Sequence, residues 1–237
     1  MITSLDNKTV KQLRKLHQKK YREDRFLLLD ERLILLAKEK RYLQKLVYTG
    51  ELPFEFADVL EVSQEVLDKI AMKEGLSFIG VSSLIEEDGK HEGRVLLLDR
   101  LQDPLNIGRI MEATQLFGFD SLVLSKDCAD IYHEKCLNAC KGGIYTLHIS
   151  HRDLKEEIEA LKKDAYEVYA TGLRNDTREM HEIKASDHMA FILGNEGSGV
   201  SEELMDLSDE VVKIDMRNID SLNVAMAASI IMYQFRI

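Results

Sequence analysis

Residues 94–125 read RVLLLDRLQDPLNIGRIMEATQLFGFDSLVLS. An apolar run ends at Asp99, a loop carries Pro104, and Ile107–Phe117 has helical spacing. SLVLS (121–125) is then a second apolar run. Strands that read as continuous apolar runs are buried on both faces. Strands alternating with helices join in parallel through crossovers. The alternation continues with a cysteine-bearing helix near 133–140, a strand at Ile144–His148 and a charged helix at 153–163. YEVYATG (166–172), MAFILG (189–194) and VVKIDM (211–216) are further strands, and Leu222–Phe235 is an apolar helix. The pattern predicts an α/β protein with a parallel sheet covered on both faces. Such sheets hold ligands beyond the carboxyl ends of their strands. That singles out the loops DRLQDPLNIG, ATGLRND, LGNEGSG and MRNIDSLN.

Upstream the pattern is different. Ser4 to about Arg22 has the spacing of a helix, with Val10, Leu13, Leu16 and His17 on one side. FLLLDERLILLA (26–37) fits a short strand followed by a helix. Lys45–Tyr48 and Val59–Val62 are short apolar pieces, and Ser63 is placed to cap a helix at Gln64–Met72. FIGVSSLI (78–85) reads as a strand. EEDGKHEG (86–93), with two glycines and mixed charge, reads as a linker. Two domains are expected, residues 1–88 and 92–237.

With 237 residues, 45% of them hydrophobic and 31% charged, the chain can bury a substantial core. No run approaches the roughly 18–20 apolar residues of a membrane span, and the first residues are polar and basic. A cytoplasmic protein without a membrane partner is expected. The net charge is −10, but residues 1–45 carry 13 Lys and Arg against 6 Asp and Glu, a net of +7. A basic segment on an acidic body suits a polyanionic partner, and equally suits a solvated lysine-rich helix. Cys128, Cys136 and Cys140 form no CxxC pair, so no disulfide framework and no metal site is expected.

LGNEGSGVS (193–201) places three glycines between an apolar strand and a helix-like SEELMDL. Glycines let main-chain groups approach a ligand closely, and no lysine stands ready for phosphates, so a nucleoside-type ligand fits better than a triphosphate. In DRLQDPLNIG, Asp103 or Asn106 either caps the following helix or faces a ligand at its N-terminus. A single Gly108 argues against a dinucleotide-binding turn. SLNVAMAAS (221–229) opens a helix whose small residues allow another backbone to approach.

These three segments, in this order and spacing, resemble the three motifs of the SpoU/TrmH family of RNA 2′-O-ribose methyltransferases, members of the SPOUT class. The resemblance spans about residues 94–237. ITSLDNKTVKQLRKLHQKKYR followed by FLLLDERLILLA is similar to the L30e-like substrate-binding domain that precedes the catalytic domain in many members. The resemblance implies a C-terminal trefoil knot and S-adenosyl-L-methionine (AdoMet) as methyl donor, with S-adenosyl-L-homocysteine as product. It further implies rRNA or tRNA as substrate and a homodimer with a composite site. By position it implies Leu193, Gly194, Gly197, Ile214, Met216 and Leu222 as the cofactor wall, with Thr171 and Gly172 beside them. Asn106, Glu196, Ser221 and Asn223 would line the reacting centre. Lys11, Arg14, Lys15, Lys19, Lys20 and Arg22 would meet RNA.

The chain departs from the family pattern in its first motif, and again where an RASxG-like stretch reads Asn138-Ala139-Cys140-Lys141-Gly142. The family's first-motif arginine, four residues after the motif glycine, reads Glu112 here, and an arginine stands one turn earlier at Arg109. Either Glu112 acts as base, or Arg109 reaches the ribose while Glu112 orients it. The alternative is an impaired homologue that binds AdoMet or RNA without methyl transfer.

Overall fold

A computed structural model describes all residues except 88, 90, 92, 217–221 and 237. The chain divides into two compact units, Met1–Glu86 with Tyr132–Asn138, and Glu87–Ile131 with Ala139–Ile237.

The first unit holds α1 (Lys8–Lys15), β1 (Arg25–Leu28), α2 (Glu31–Glu39), β2 (Leu43–Tyr48), β3 (Val59–Glu61), α3 (Gln64–Ala71) and β4 (Phe78–Ser83). Its strands lie in the order β1-β4-β2-β3, mixed in direction. The helix expected from Ser4 to Arg22 is shorter than its sequence pattern. Asn7 caps it, its side chain accepting from Thr9 N at 2.8 Å. Val10, Leu13 and Leu16 bury its stripe, but Lys19 and Lys20 offer nothing to bury on the next turn. The chain therefore breaks into a 3₁₀ turn at Lys19–Tyr21. Ser63 caps α3 as expected, accepting from Val66 N.

The second unit is built on β5 (Arg94–Leu98), α4 (Pro104–Phe117), β6 (Phe119–Ser125), β7 (His148–Arg152), α6 (Leu154–Lys163), β8 (Glu167–Thr171), β9 (Arg178–Glu179), β10 (Met189–Leu193), α7 (Glu202–Leu207), β11 (Glu210–Lys213) and α8 (Val224–Gln234). The short α5 (Glu134–Ala139) falls largely in the first unit. Among the described residues the sheet has seven strands, all parallel, in the order β7-β6-β5-β10-β8-β11-β9. The central β5 and β10 are buried at every position, the signature of a sheet covered on both faces.

Two expectations are corrected. The strand expected at Ile144–His148 is a 3₁₀ turn at Gly143–Tyr145, and β7 begins only at His148. Gly142, at φ +103°, turns the chain there, so Ile144 and Tyr145 fill the core from a turn. The helix expected from Ile107 begins at Pro104, because Asp103 accepts from Leu105 N at 2.9 Å and proline suits the first helical position. Gly118, at φ +72°, ends it. Phe191 stacks on Tyr169 and Phe235, with ring centroids 5.3 and 4.9 Å apart, which seats the end of α8 on the sheet. The buried Arg94 donates to the carbonyls of Ser186 and Phe235 and holds that end in place.

Candidate functional site

Because the sheet is parallel, the carboxyl ends of the adjacent β5, β10, β8 and β11 share one edge. The loop after β10 is held in a defined shape. Asn195 and Gly199 exchange backbone hydrogen bonds of 3.1 and 2.9 Å, and Asn195 Oδ1 accepts from Gly197 N and Ser198 N. Gly199 sits at φ +69°, a conformation that favours glycine. Gly194 is needed for a different reason: a Cβ there would lie 2.0 Å from Gly199 C and Val200 N.

The loop after β5 braces this turn. Asp99, nearly fully buried, receives both arms of the Arg100 guanidinium at 2.8 Å and the Ser201 N–H at 3.0 Å. Arg100 Nη2 also donates to Gly199 O, and Arg100 O accepts from Asn195 Nδ2 at 2.8 Å. Arg100 adopts φ +56°, an uncommon conformation for a side-chain-bearing residue. Neither residue stood out in the sequence; the only available signal was a charged pair directly after a buried strand.

Between the loop after β10, those after β8 and β11, and α8 lies a cavity of about 250 Å³. All eight residues expected at the cofactor wall line it: Thr171, Gly172, Leu193, Gly194, Gly197, Ile214, Met216 and Leu222. Sequence reasoning missed Met180, Val212, Ala227 and Ile231, which also line it. The α8 residues were foreshadowed only by the helical spacing of 224, 227 and 231. At the rim, Glu196 accepts from Gln102 N, Asp103 N and Asn106 Nδ2, each at 3.1 Å. Asn106, buried in the first turn of α4, accepts in turn from Asn223 Nδ2 at 3.1 Å. Asn223 Oδ1 caps α8 by accepting from Ala225 N and Met226 N. Glu196, Asn106 and Asn223 thus form one continuous polar chain. Burial pushes the Glu196 carboxyl up, but hydrogen bonds from its own N–H, Gln102, Asn106 and Asp103 outweigh this and hold it below the usual range.

Arg109 and Glu112 are placed differently. They line a groove of about 490 Å³ between α4 and α8, with Leu116, Asn223, Met226 and Ile230. Asn223 is common to the groove and the polar chain. Ser221 lies outside the described residues. Lys11, Arg14, Lys15, Lys19, Lys20 and Arg22 all lie in the first unit, on α1 and the turn after it. Lys11 pairs with Asp6 at 2.8 Å, and Arg22 donates to His17 O. Cys128, Cys136 and Cys140 are buried and form no disulfide with one another. Among the described residues no group of three His, Cys, Asp or Glu could hold a metal, and no helix is long and apolar enough to cross a membrane.

The cavity's donor set fits AdoMet. Leu193, Ile214, Met216 and Leu222 offer apolar surface to an adenine ring. The glycine turns bring main-chain groups to its edge, and an ionised carboxylate stands at the rim for a cationic ligand. A parallel sheet with such a pocket at its carboxyl edge has the geometry of an α/β protein that binds a nucleoside-type ligand. Comparison with known proteins makes the class specific. Residues 93–233 match the SpoU rRNA Methylase family. The chain is 31% identical over 245 residues to the 23S rRNA (guanosine(2553)-2′-O)-methyltransferase RlmP of Bacillus subtilis, covering 99% of this chain and 98% of that one. An rRNA methyltransferase structure from Sinorhizobium meliloti superposes with a TM-score of 0.88 at 25% identity, covering 98% of this chain and 95% of that one. The AdoMet-bound structure from the same organism gives 0.87, with the same identity and coverage. The chain belongs to the SpoU rRNA methylase family.

Proposed function

We propose that this protein transfers a methyl group from AdoMet to a ribose 2′-OH of RNA, with 23S rRNA favoured over tRNA by the likeness to the Bacillus subtilis 23S rRNA methyltransferase. The observation that carries the reading is that eight residues, implied by the family resemblance and lying on three separate loops, line a single cavity beside the Glu196–Asn106–Asn223 chain. A knotted thread of chain around this cavity, and residues 1–88 as an L30e-like RNA-binding domain, belong to the same proposal, as does a cytoplasmic location. The full-length likeness to a named methyltransferase weighs against the impaired-homologue alternative.

AdoMet supplies a methyl carbon already activated by its sulfonium, so the protein must orient the hydroxyl and accept its proton. Glu196, held in its ionised form, is a weak base. Its contribution is to fix Asn106 and the loop after β5 and to place negative charge at the rim. A base has to come from elsewhere, and Glu112 with Arg109 is the available pair. The groove holding them is flanked by the exposed apolar residues Leu116, Met226, Ile230 and Tyr233. We assign that face to a second copy of the chain, which would bring its own α4 and α8 against it and complete the site. Ile230→Glu is expected to convert a dimer to a monomer in light scattering and to lower activity, with AdoMet affinity retained. A wild-type monomer would remove the composite site.

The direct test is transfer of labelled methyl from AdoMet to RNA from a strain lacking the protein, followed by alkaline hydrolysis. A 2′-O-methyl blocks cleavage of the adjoining phosphodiester, so label is expected in alkali-resistant dinucleotides. Label only in mononucleotides would exclude ribose methylation.

A further inference from the structure

Residues Lys8–Arg22 hold seven Lys and Arg and no Asp or Glu. Within this run, Lys15, Lys19 and Lys20 are exposed and make no ion pair among the described residues. At its end stands Tyr21, the only exposed residue among the described tyrosines and phenylalanines of the first unit, at 38% of its full accessible surface. Its ring lies against lysines rather than the core, with Lys20 Nζ 4.9 Å and Lys15 Nζ 5.1 Å from its centroid. The backbone beneath it is fixed: Tyr21 N donates to Gln18 O and Arg22 N to Lys19 O, both at 3.0 Å. Arg22, half-buried, anchors the turn through His17 O, and the His17 ring is bonded to Ile70 O at 2.7 Å.

We infer that Tyr21 is a stacking platform for an unpaired nucleotide of the RNA substrate, with Lys15, Lys19 and Lys20 neutralising the phosphates on either side. The inference rests on the RNA-docking reading of the first unit and adds the residue that distinguishes single-stranded from paired RNA. Exposed lysine–tyrosine contacts are worth little, about 0.5–1 kcal/mol, so fold stability does not account for the arrangement. A phosphate competes effectively for such lysines, and their departure uncovers the ring face. An unstacked base then fills it, as aromatic rings set among basic residues commonly do for single-stranded nucleic acid. A paired base has no free face to offer.

The test uses the full-length protein and two probes, an RNA hairpin with 2-aminopurine in its loop and a fully paired RNA duplex. Tyr21→Ala is expected to weaken hairpin binding about 5- to 100-fold, with no change for the duplex and no loss of thermal stability. Tyr21→Phe and Tyr21→Trp should restore binding and the 2-aminopurine quench. Because tyrosine carries no charge, the salt dependence should keep its slope in Tyr21→Ala, whereas Lys15→Gln/Lys19→Gln/Lys20→Gln should flatten it. Unchanged hairpin affinity in Tyr21→Ala, with the lysine variant weakened, would overturn the platform and leave the docking surface standing. Unchanged affinity in both would remove the docking surface as well. Equal losses on hairpin and duplex would also overturn the platform, since a duplex offers no free base to stack.

Discussion

Gly194→Ala is expected to abolish AdoMet binding while the sheet still folds. A methyl group on Gly194 would meet Gly199 C and Val200 N at 2.0 Å and Gly199 O at 2.5 Å, all backbone atoms with no rotamer to adopt. The neighbouring strand of the turn would have to move by more than an ångström. It is pinned there by the Asn195–Gly199 bridge, by Arg100 on Gly199 O and by Asp99 on Ser201 N. Relieving the clash means breaking several of these bonds, at about 1–3 kcal/mol for overpacking alone. Since the displaced turn is a wall of the cavity, affinity should fall by more than about 100-fold, the equivalent of losing about 3 kcal/mol. Gly197→Ala lacks the backbone clash, because the nearest atom to a Cβ there is Asn195 Oδ1 at 3.5 Å, an ordinary contact, so its melting temperature should stay at the wild-type value even if a methyl in the cavity wall lowers affinity. Equilibrium dialysis with labelled AdoMet and thermal melts of both variants decide the matter. A Gly194→Ala protein that binds AdoMet like wild type would remove this turn from the cofactor site.

Glu196→Gln should lower turnover by about 10²-fold, the scale expected when a positioned polar group of an active site is lost. The carboxylate accepts from Gln102 N through one oxygen and from Asp103 N and Asn106 through the other. An amide keeps the size but turns an N–H₂ toward at least one of these donors. One N–H is then unsatisfied and Asn106 loses its fixed orientation. The pH dependence gives an independent reading. Hydrogen bonding lowers the folded-state value of Glu196 despite its partial burial. Its contribution is therefore present above the ordinary carboxylate range and is lost as pH falls through the lower folded value. Wild-type AdoMet affinity should be flat through neutral pH and decline only in acid. The Glu196→Gln variant should lack that acid limb. An acid limb of the same size in both would assign it to another group.

Much of this site was legible before any coordinates. The wall residues came from the family resemblance, by motif position; the residues themselves encoded only the turn after β10, because glycines after an apolar strand favour one. Asp103 followed by Pro104 likewise encodes a helix start, although the apolar pattern placed the start three residues late. The stretch around Ile144 misled for the opposite reason. Apolar residues report burial, and both a strand and a 3₁₀ turn can bury Ile144 and Tyr145; Gly142 decided between them. For Ala227 and Ile231 helical spacing gave a shared face but not the cavity, because their approach to it depends on where α8 lands, and that depends on Phe235 stacking on Phe191, some forty residues away in the chain.

Sequence by itself determined the class of sheet and the glycine turn after β10, since each rests on residues close in the chain, and its three motifs carried the family resemblance. Only the tertiary structure decided how the polar residues are shared out. Glu196, Asn106 and Asn223 come from three distant segments and form one hydrogen-bonded chain, while Arg109 and Glu112, one turn apart on α4 and near Asn106 in sequence, face the α4–α8 groove. Helical periodicity puts residues 106 and 109 on neighbouring positions of one face, so their different partners are set by α8 packing against α4, a contact between segments more than one hundred residues apart.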